Sequence, residues 1–261
     1  MDLREEALKL HKDNKGKIEV VSKVKVENAK DLSIAYTPGV AEPCKEIHAN
    51  PELIYDYTNK GNMVAVVTDG SAVLGLGNIG ARAGMPVMEG KSVLFKSFAD
   101  VDAFPICIES QDVEIVVQTV KQIAPSFGGI NLEDIAAPRC FEIEERLKKE
   151  LDIPVFHDDQ HGTAVIVLAG IINGLKVVGK KIENVTAVVS GAGAAGTAIS
   201  KLLVSSGIKD VIICNSKGIL DKNDEKLDPI RKEMALKTNK TNKKGSLADA
   251  MAGADIFIGV S

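Results

Sequence analysis

The most constraining feature of the chain is a local order of elements in its second half. Asn184-Val185-Thr186-Ala187-Val188-Val189-Ser190 is an apolar, β-branched run, and Gly191-Ala192-Gly193-Ala194-Ala195-Gly196 follows at once. Thr197-Ala198-Ile199-Ser200-Lys201-Leu202-Leu203 then has helical texture. A G-x-G-x-x-G turn between a strand and a helix is the dinucleotide-binding fingerprint. Gly191 makes the tight turn, Gly193 lets backbone amides approach a pyrophosphate, and Gly196 lets helix and strand pack closely. The helix N-terminus supplies a positive field for the phosphates. Gly191 to Gly196, with Ala192, Ala194 and Ala195 between the glycines, are therefore expected to hold the cofactor.

The same spacing occurs a second time, at Gly75-Leu76-Gly77-Asn78-Ile79-Gly80. Here Gly84 and Pro86 follow closely and are expected to break any helix within its first two turns. The second copy therefore reads as a glycine-rich loop with close backbone packing.

Around these motifs the texture is α/β. Residues 3 to 11 have helical spacing, and the Pro38-Gly39 pair marks a turn that exposes what precedes it. Asn62 to Thr68 reads as a buried strand, Ser92 to Phe95 and Ala103 to Ile108 as further strands, and Asp112 to Gln122 as a covering helix. Another strand ends near Ile130 to Ile135, before a helix from Phe141 to Glu150. From Thr163 to Val178 the residues are apolar almost all round, as in a helix buried between layers. Strands at 185–190, 211–214 and 254–260 then alternate with helices at 194–206, 227–237 and 247–251. That is a doubly wound, Rossmann-type pattern. The expected organisation is an N-terminal α/β substrate and metal domain over residues 1–160 and a nucleotide-binding domain over 161–261.

Composition restricts the function classes. With 261 residues, 45% hydrophobic and 26% charged, the chain can bury a sizeable core. A net charge of −4, with basic residues scattered among acidic ones, gives no footprint for nucleic acid. No apolar run approaches the length of a membrane span, so no membrane partner is expected. Cys44, Cys107, Cys140 and Cys214 are widely spaced and lack any C-x-x-C pairing, which excludes a zinc cage and fits a reducing, cytoplasmic compartment.

The chemistry lies in carboxylates. Glu133-Asp134 and Asp158-Asp159 are adjacent pairs in turn-like contexts. Converging carboxylates repel unless protons or a cation compensate, and all-oxygen ligands select a hard ion such as Mg²⁺ or Mn²⁺. Helix caps and solvated turns would use the same residues, and spacing alone leaves both readings open. His157 and His161 stand four apart, but the residues between them are Asp-Asp-Gln, and a solvated or hydrogen-bonded pair is expected rather than a zinc site. Lys91 opens an apolar strand, where it can snorkel to solvent or, partly desolvated, serve as a base. Tyr36 is either a packed ring or a proton donor. The strand Val211 to Cys214 ends on Asn215, not on the acid that would take a ribose and repel a 2′-phosphate, and Lys217 stands close by. The choice between NAD and NADP stays open.

Five ordered motifs carry a family resemblance: Tyr36-Thr37-Pro38-Gly39-Val40, Val66 to Gly80, Gly90-Lys91, Glu133-Asp134 and Phe156 to Ala164. Together they resemble malic enzymes, especially the compact bacterial form. The resemblance implies oxidative decarboxylation of malate to pyruvate and CO₂, with NAD or NADP and Mg²⁺ or Mn²⁺, in a homodimer or higher homo-oligomer. It further implies metal ligation by Glu133, Asp134 and Asp159, a general base at Lys91 supported by Asp158, and a general acid at Tyr36. Two departures accompany it. Ala72 stands where animal-type malic enzymes carry a carboxylate-binding arginine, and Arg82 is one candidate to replace it. The chain also ends at Gly259-Val260-Ser261, where the family continues, so an incomplete second domain is expected. The competing readings are a metal-independent dehydrogenase of another hydroxy or amino acid, and a non-catalytic nucleotide-binding module.

Overall fold

A computed structural model describes residues 2–73 and 75–261; Leu74, inside the Val66–Gly80 stretch, lies outside the described residues. The chain forms two compact units that interleave in sequence. One comprises Met1–Asn131 with Leu147–Val155, the other Leu132–Arg146 with Phe156–Ser261. The sequence boundary at 160 follows chain order, whereas the compact units exchange segments on either side of it.

The first unit begins with α1 (Leu3–Asn14), α2 (Ala29–Ala35), α3 (Ala41–Ala49) and α4 (Ile54–Tyr57), none of which buries a residue. β1 (Met63–Thr68) follows, and its last four residues are buried. It leads through the Asp69-Gly70 turn and the glycine loop into α5 (Ala81–Ala99). β2 (Asp102–Cys107) pairs parallel to β1, with Met63 opposite Asp102 and Thr68 opposite Cys107. α6 (Val113–Ile123) is capped by Asp112, whose carboxylate accepts from the Ile115 amide, and its face of Val116, Val117 and Val120 is fully buried. β3 (Gly129–Leu132), α7 (Arg139–Glu150) and β4 (Val155–His157) come next, and the sheet order is β2-β1-β3-β4.

α5 overturns two expectations. Gly84 and Pro86 do not break a helix, and Ser92 to Phe95 is not a strand: all lie within one 19-residue helix. Ala81, Gly84, Met88 and Ser92 recur at helical spacing and are its buried residues, so one continuous stripe faces the sheet. Pro86 removes a single backbone donor near the start of the helix, and the tertiary stripe outweighs that loss. A Cβ at Gly84 would lie 3.7 Å from the Gly70 Cα and 3.8 Å from the Thr68 methyl, so small size here seats α5 on the end of β1.

In the second unit α8 (Asp158–Val178) precedes β5 (Thr186–Ser190), α9 (Ala194–Ser205), β6 (Asp210–Asn215) and β7 (Gly218–Ile219). α10 (Pro229–Lys237), α11 (Leu247–Met251) and β8 (Ile256–Gly259) follow. The sheet order is β7-β6-β5-β8, with β6-β5-β8 parallel and β7 folded back antiparallel on β6. Side chains alternate across this sheet. Ala187 and Val189 join Ile199, Leu203 and Met234 in one apolar cluster, while Val188 joins Ile212, Cys214 and Ala250 in another. Both faces are covered, as a parallel interior strand requires.

α8 corrects the sequence reading in two ways. It starts five residues earlier than its apolar run and reaches 21 residues. By length and composition alone it is long enough to cross a membrane, contrary to the expectation that no segment would be. Nor is it buried between layers: it packs on α9, but Ile166 is 73% and Val177 87% exposed.

Candidate active site

The site residues fall in three places. The first is the glycine loop after β1. Asp69 is buried and accepts from both the Ser71 amide and the Ser71 hydroxyl, closing a tight turn. Gly70 has φ +67°, and a Cβ there would lie 2.2 Å from the Gly80 carbonyl oxygen. The Gly70 carbonyl accepts from the amides of Ile79 and Gly80, both at 3.1 Å, so the loop closes on this one residue. The close backbone approach expected of Gly75, Gly77 and Gly80 belongs instead to Gly70. The other three face open space and are needed for their φ of +76°, +73° and +79°. Lys91 stands half-buried within α5, on a helix rather than at the start of a strand. Tyr36 is the C-terminal cap of α2, is 66% exposed and precedes the Pro38-Gly39 turn. Arg82 is an exposed residue that pairs with Glu109 at 3.4 Å.

The second place is the acidic cluster, which lies wholly in the second unit. Glu133, Asp134 and Asp159 each offer a carboxylate oxygen, and these oxygens lie within 4.8 Å of one another. Glu133 is 5% and Asp134 4% exposed. Asp134 has φ +54°, a left-handed conformation uncommon for a non-glycine residue and a mark of functional strain. Its amide donates to Asp159 Oδ2 at 3.2 Å, so backbone geometry ties the two acids. Two nearly buried carboxylates beside a third bring like charges together, an arrangement that a cation would compensate. An all-oxygen set of this size fits Mg²⁺ or Mn²⁺ and not the nitrogen and sulfur set of zinc.

Behind the acids stands a second layer, which the sequence did not reveal. Glu144 of α7 is 6% exposed. Its carboxylate accepts from the His157 amide at 3.0 Å and the Gln160 side-chain amide at 3.2 Å, and it pairs with His161 Nε2 at 2.8 Å. His161 thus belongs to a hydrogen-bonded pair, as expected. His157 does not: its ring is fully buried, neither ring nitrogen has a hydrogen-bond partner among the described residues, and Nε2 lies 3.5 Å from Asp159 Oδ2. Burial holds the His157 imidazole below its ordinary pKa, against the opposing pull of the Asp159, Glu144 and Asp158 carboxylates. Cys140, on the same helix as Glu144, is pushed up to about 12 by burial and by the Asp159 and Glu144 carboxylates, so it is an inert thiol. Asp158 opens α8, and a Cβ at Gly162 would lie 2.2 Å from its Oδ1, so this glycine makes the space the carboxylate occupies.

The third place is the turn between β5 and α9. Gly191 has φ +123°, and its amide donates to the Cys214 carbonyl at 2.9 Å. A Cβ at Gly196 would lie 1.7 Å from the Gly191 carbonyl oxygen, which no side chain could tolerate. A Cβ at Gly193, by contrast, meets nothing, leaving its backbone open to a ligand. Arg231 of α10 donates from Nε to the Ala192 carbonyl at 2.7 Å and fixes the loop from outside. Asn215 ends β6 with its side-chain oxygen accepting from the Lys217 amide at 2.8 Å, which leaves its amide nitrogen as the group free to meet a ribose.

This arrangement can bind a dinucleotide by its pyrophosphate and hold a hard cation, and the chain as a whole is similar to known proteins. Residues 15–148 match the family profile described as the malic enzyme N-terminal domain, and residues 160–261 match the malic enzyme NAD binding domain. The chain is 62% identical to the bifunctional malic/malolactic enzyme of Bacillus subtilis, over 100% of this chain and 64% of that one. It is 52% identical to the NADP-dependent malic enzyme of Haemophilus influenzae, over 99% of this chain and 34% of that one. The solved NAD-dependent malic enzyme of Thermotoga maritima superposes with a TM-score of 0.95 at 52% identity, over 98% of this chain and 68% of that one. The chain thus spans at most about two thirds of the length of these relatives. With both family domains matched in order on one chain, this protein belongs to the malic enzyme family.

Proposed function

We propose that the whole protein converts malate to pyruvate and CO₂ with reduction of NAD⁺ or NADP⁺, assisted by Mg²⁺ or Mn²⁺. The observation that carries this reading is the convergence of Glu133, Asp134 and Asp159 in a chain of this family. Glu133, Asp134 and Asp159 would hold the cation, which would supply Lewis-acid polarisation of a substrate oxygen and compensation of developing negative charge. The remaining work falls to side chains. Lys91 takes the C2 hydroxyl proton while hydride passes to the nicotinamide, and Asp158 is assigned the role of supporting that base. Tyr36 delivers a proton to C3 to complete pyruvate. Gly191 to Gly196 receive the pyrophosphate on the α9 N-terminus, and Asn215 meets the ribose. Without an acid at the end of β6, nothing there repels a 2′-phosphate, which is why the reading takes both dinucleotides. Four free cysteines, with Cys44 exposed, suit a reducing cytoplasm. The apolar surface left open on the N-terminal helices suits a homo-oligomer.

The test is pyruvate formation from L-malate by the full-length protein across both dinucleotides and both metals. Lactate is followed in parallel, because the Bacillus subtilis relative is named for malolactic activity. Chelation, Lys91→Ala and Asp159→Ala are each expected to lower kcat by at least about 10²-fold. Undiminished turnover after chelation would favour the metal-independent dehydrogenase and sink this assignment.

A further inference from the structure

Among the groups that the proposed chemistry leaves unused is the buried carboxylate of Glu144, which takes three directed contacts from residues 157, 160 and 161. α8 begins at Asp158 with His157 as its N-cap, and no side chain of its own segment caps it. The first turn of a helix leaves backbone donors unpaired, and a capping box ordinarily satisfies the N-cap amide with a glutamate from the same helix. Here that bond comes from another helix: Glu144 of α7 accepts from the His157 amide at 3.0 Å. The same carboxylate receives the Gln160 amide at 3.2 Å and pairs with His161 Nε2 at 2.8 Å. Three points around the start of α8, at residues 157, 160 and 161, are thus fixed by one group, and Asp159 lies between the first two in sequence. The negative charge also sits favourably at the positive end of that helix.

We infer that Glu144 is a positioning residue: it caps α8 from α7 and so sets the direction in which Asp159 presents its carboxylate to Glu133 and Asp134. The inference rests on the proposed metal site and adds to it a determinant of affinity that touches neither metal nor substrate. Outer partners of this kind typically govern metal affinity by 10- to 100-fold. Loss of Glu144 frees the α8 turn, and the metal constant rises while turnover at saturating metal changes much less.

The test is Mn²⁺ titration of the full-length protein without substrate, read from the free Mn²⁺ paramagnetic signal, on wild type, Glu144→Leu, Glu144→Gln and His161→Gln. Glu144→Leu is expected to weaken Mn²⁺ binding by about tenfold or more. Glu144→Gln retains an acceptor for the His157 amide and is expected to recover part of that loss. His161→Gln, altered at a half-exposed side chain, should lie near wild type. In assays, the Mn²⁺ concentration for half-maximal rate should shift with the binding constant while kcat stays within a few-fold. Folded Glu144→Leu with wild-type Mn²⁺ affinity overturns the inference and leaves the metal site standing. Absence of Mn²⁺ binding by wild type removes the metal site and the inference with it. If Glu144→Leu does not fold, Glu144→Gln decides: weakened binding supports the inference, and an unchanged constant overturns it.

Discussion

Single residues in this chain carry roles that their types alone do not announce. Lys60 is one: it is 9% exposed and spends its ammonium on the carbonyls of Ala124, Pro125 and Phe127, the last at 2.6 Å. Asp102 is another. Asn59 at 2.9 Å and Lys96 at 3.0 Å hold its carboxylate down from 3.8 to about 2, with Asn62 adding a third bond. The folded pKa is depressed, so the stabilisation is complete above the unfolded value and disappears as pH falls from about 4 towards 2. Unscreened, the gap would be roughly 2.5 kcal/mol. Partners this close to solvent reduce that to about 1 kcal/mol. In urea titrations Asp102→Asn should be less stable than wild type by about that amount at pH 6, with the difference narrowing at pH 3. A gap that stays constant between these values would show that the charge of Asp102 contributes nothing. Residue-scale legibility was uneven for a physical reason. Glu133, Asp134 and Asp159 stand out as paired acids in turns, whereas Glu144 reads as one more charge in an acidic and basic helix until tertiary structure buries it.

At the scale of elements, α8 joins chemistry to packing. Its first turn carries Asp158 and Asp159, and its remaining turns are an apolar rod on α9. Gly162→Ala separates the two roles. The new methyl would displace the Asp158 carboxylate, whose Oδ1 lies 2.2 Å from the Cβ position, while alanine favours the helix by up to about 1 kcal/mol. The variant is expected to melt no lower than wild type yet turn over malate roughly 10- to 100-fold more slowly. Full activity in a stable Gly162→Ala protein would remove Asp158 from the mechanism. The Rossmann half was legible because its signals are local: β-branched runs, a glycine turn and a helix in fixed order. α5 was not. Gly84 and Pro86 are strong local breakers, and Ser92 to Phe95 is too short for periodicity to decide. Only the stripe Ala81, Gly84, Met88, Ser92, which needs the sheet as its partner, reveals one helix.

On the scale of the whole molecule, the N-terminal helices are unusual in burying nothing. Leu3 of α1 is 80% and Ile34 of α2 65% exposed, Val20 and Val21 in the stretch between these helices are 84% and 76%, and Tyr36 after α2 is 66%. An apolar surface this extensive is seldom left to water in a monomer. Sedimentation equilibrium is expected to give at least a dimer, and charged substitutions at Leu3, Val20 and Ile34 should shift it towards monomer. A wild-type protein that stays monomeric at micromolar concentration would refute an oligomer built on this face. The acidic cluster has a consequence at the same scale. Asp134 and Asp159 are 25 residues apart in the chain, and one cation shared between them is a reversible cross-link that closes this loop. Loop closure takes conformational freedom from the unfolded chain, and any ligand that binds only the folded state stabilises it by mass action. If the proposed cation binds there, metal supply would set how long the molecule survives as well as how fast it works, and a cell short of manganese or magnesium would hold less of the protein, not merely a slower one.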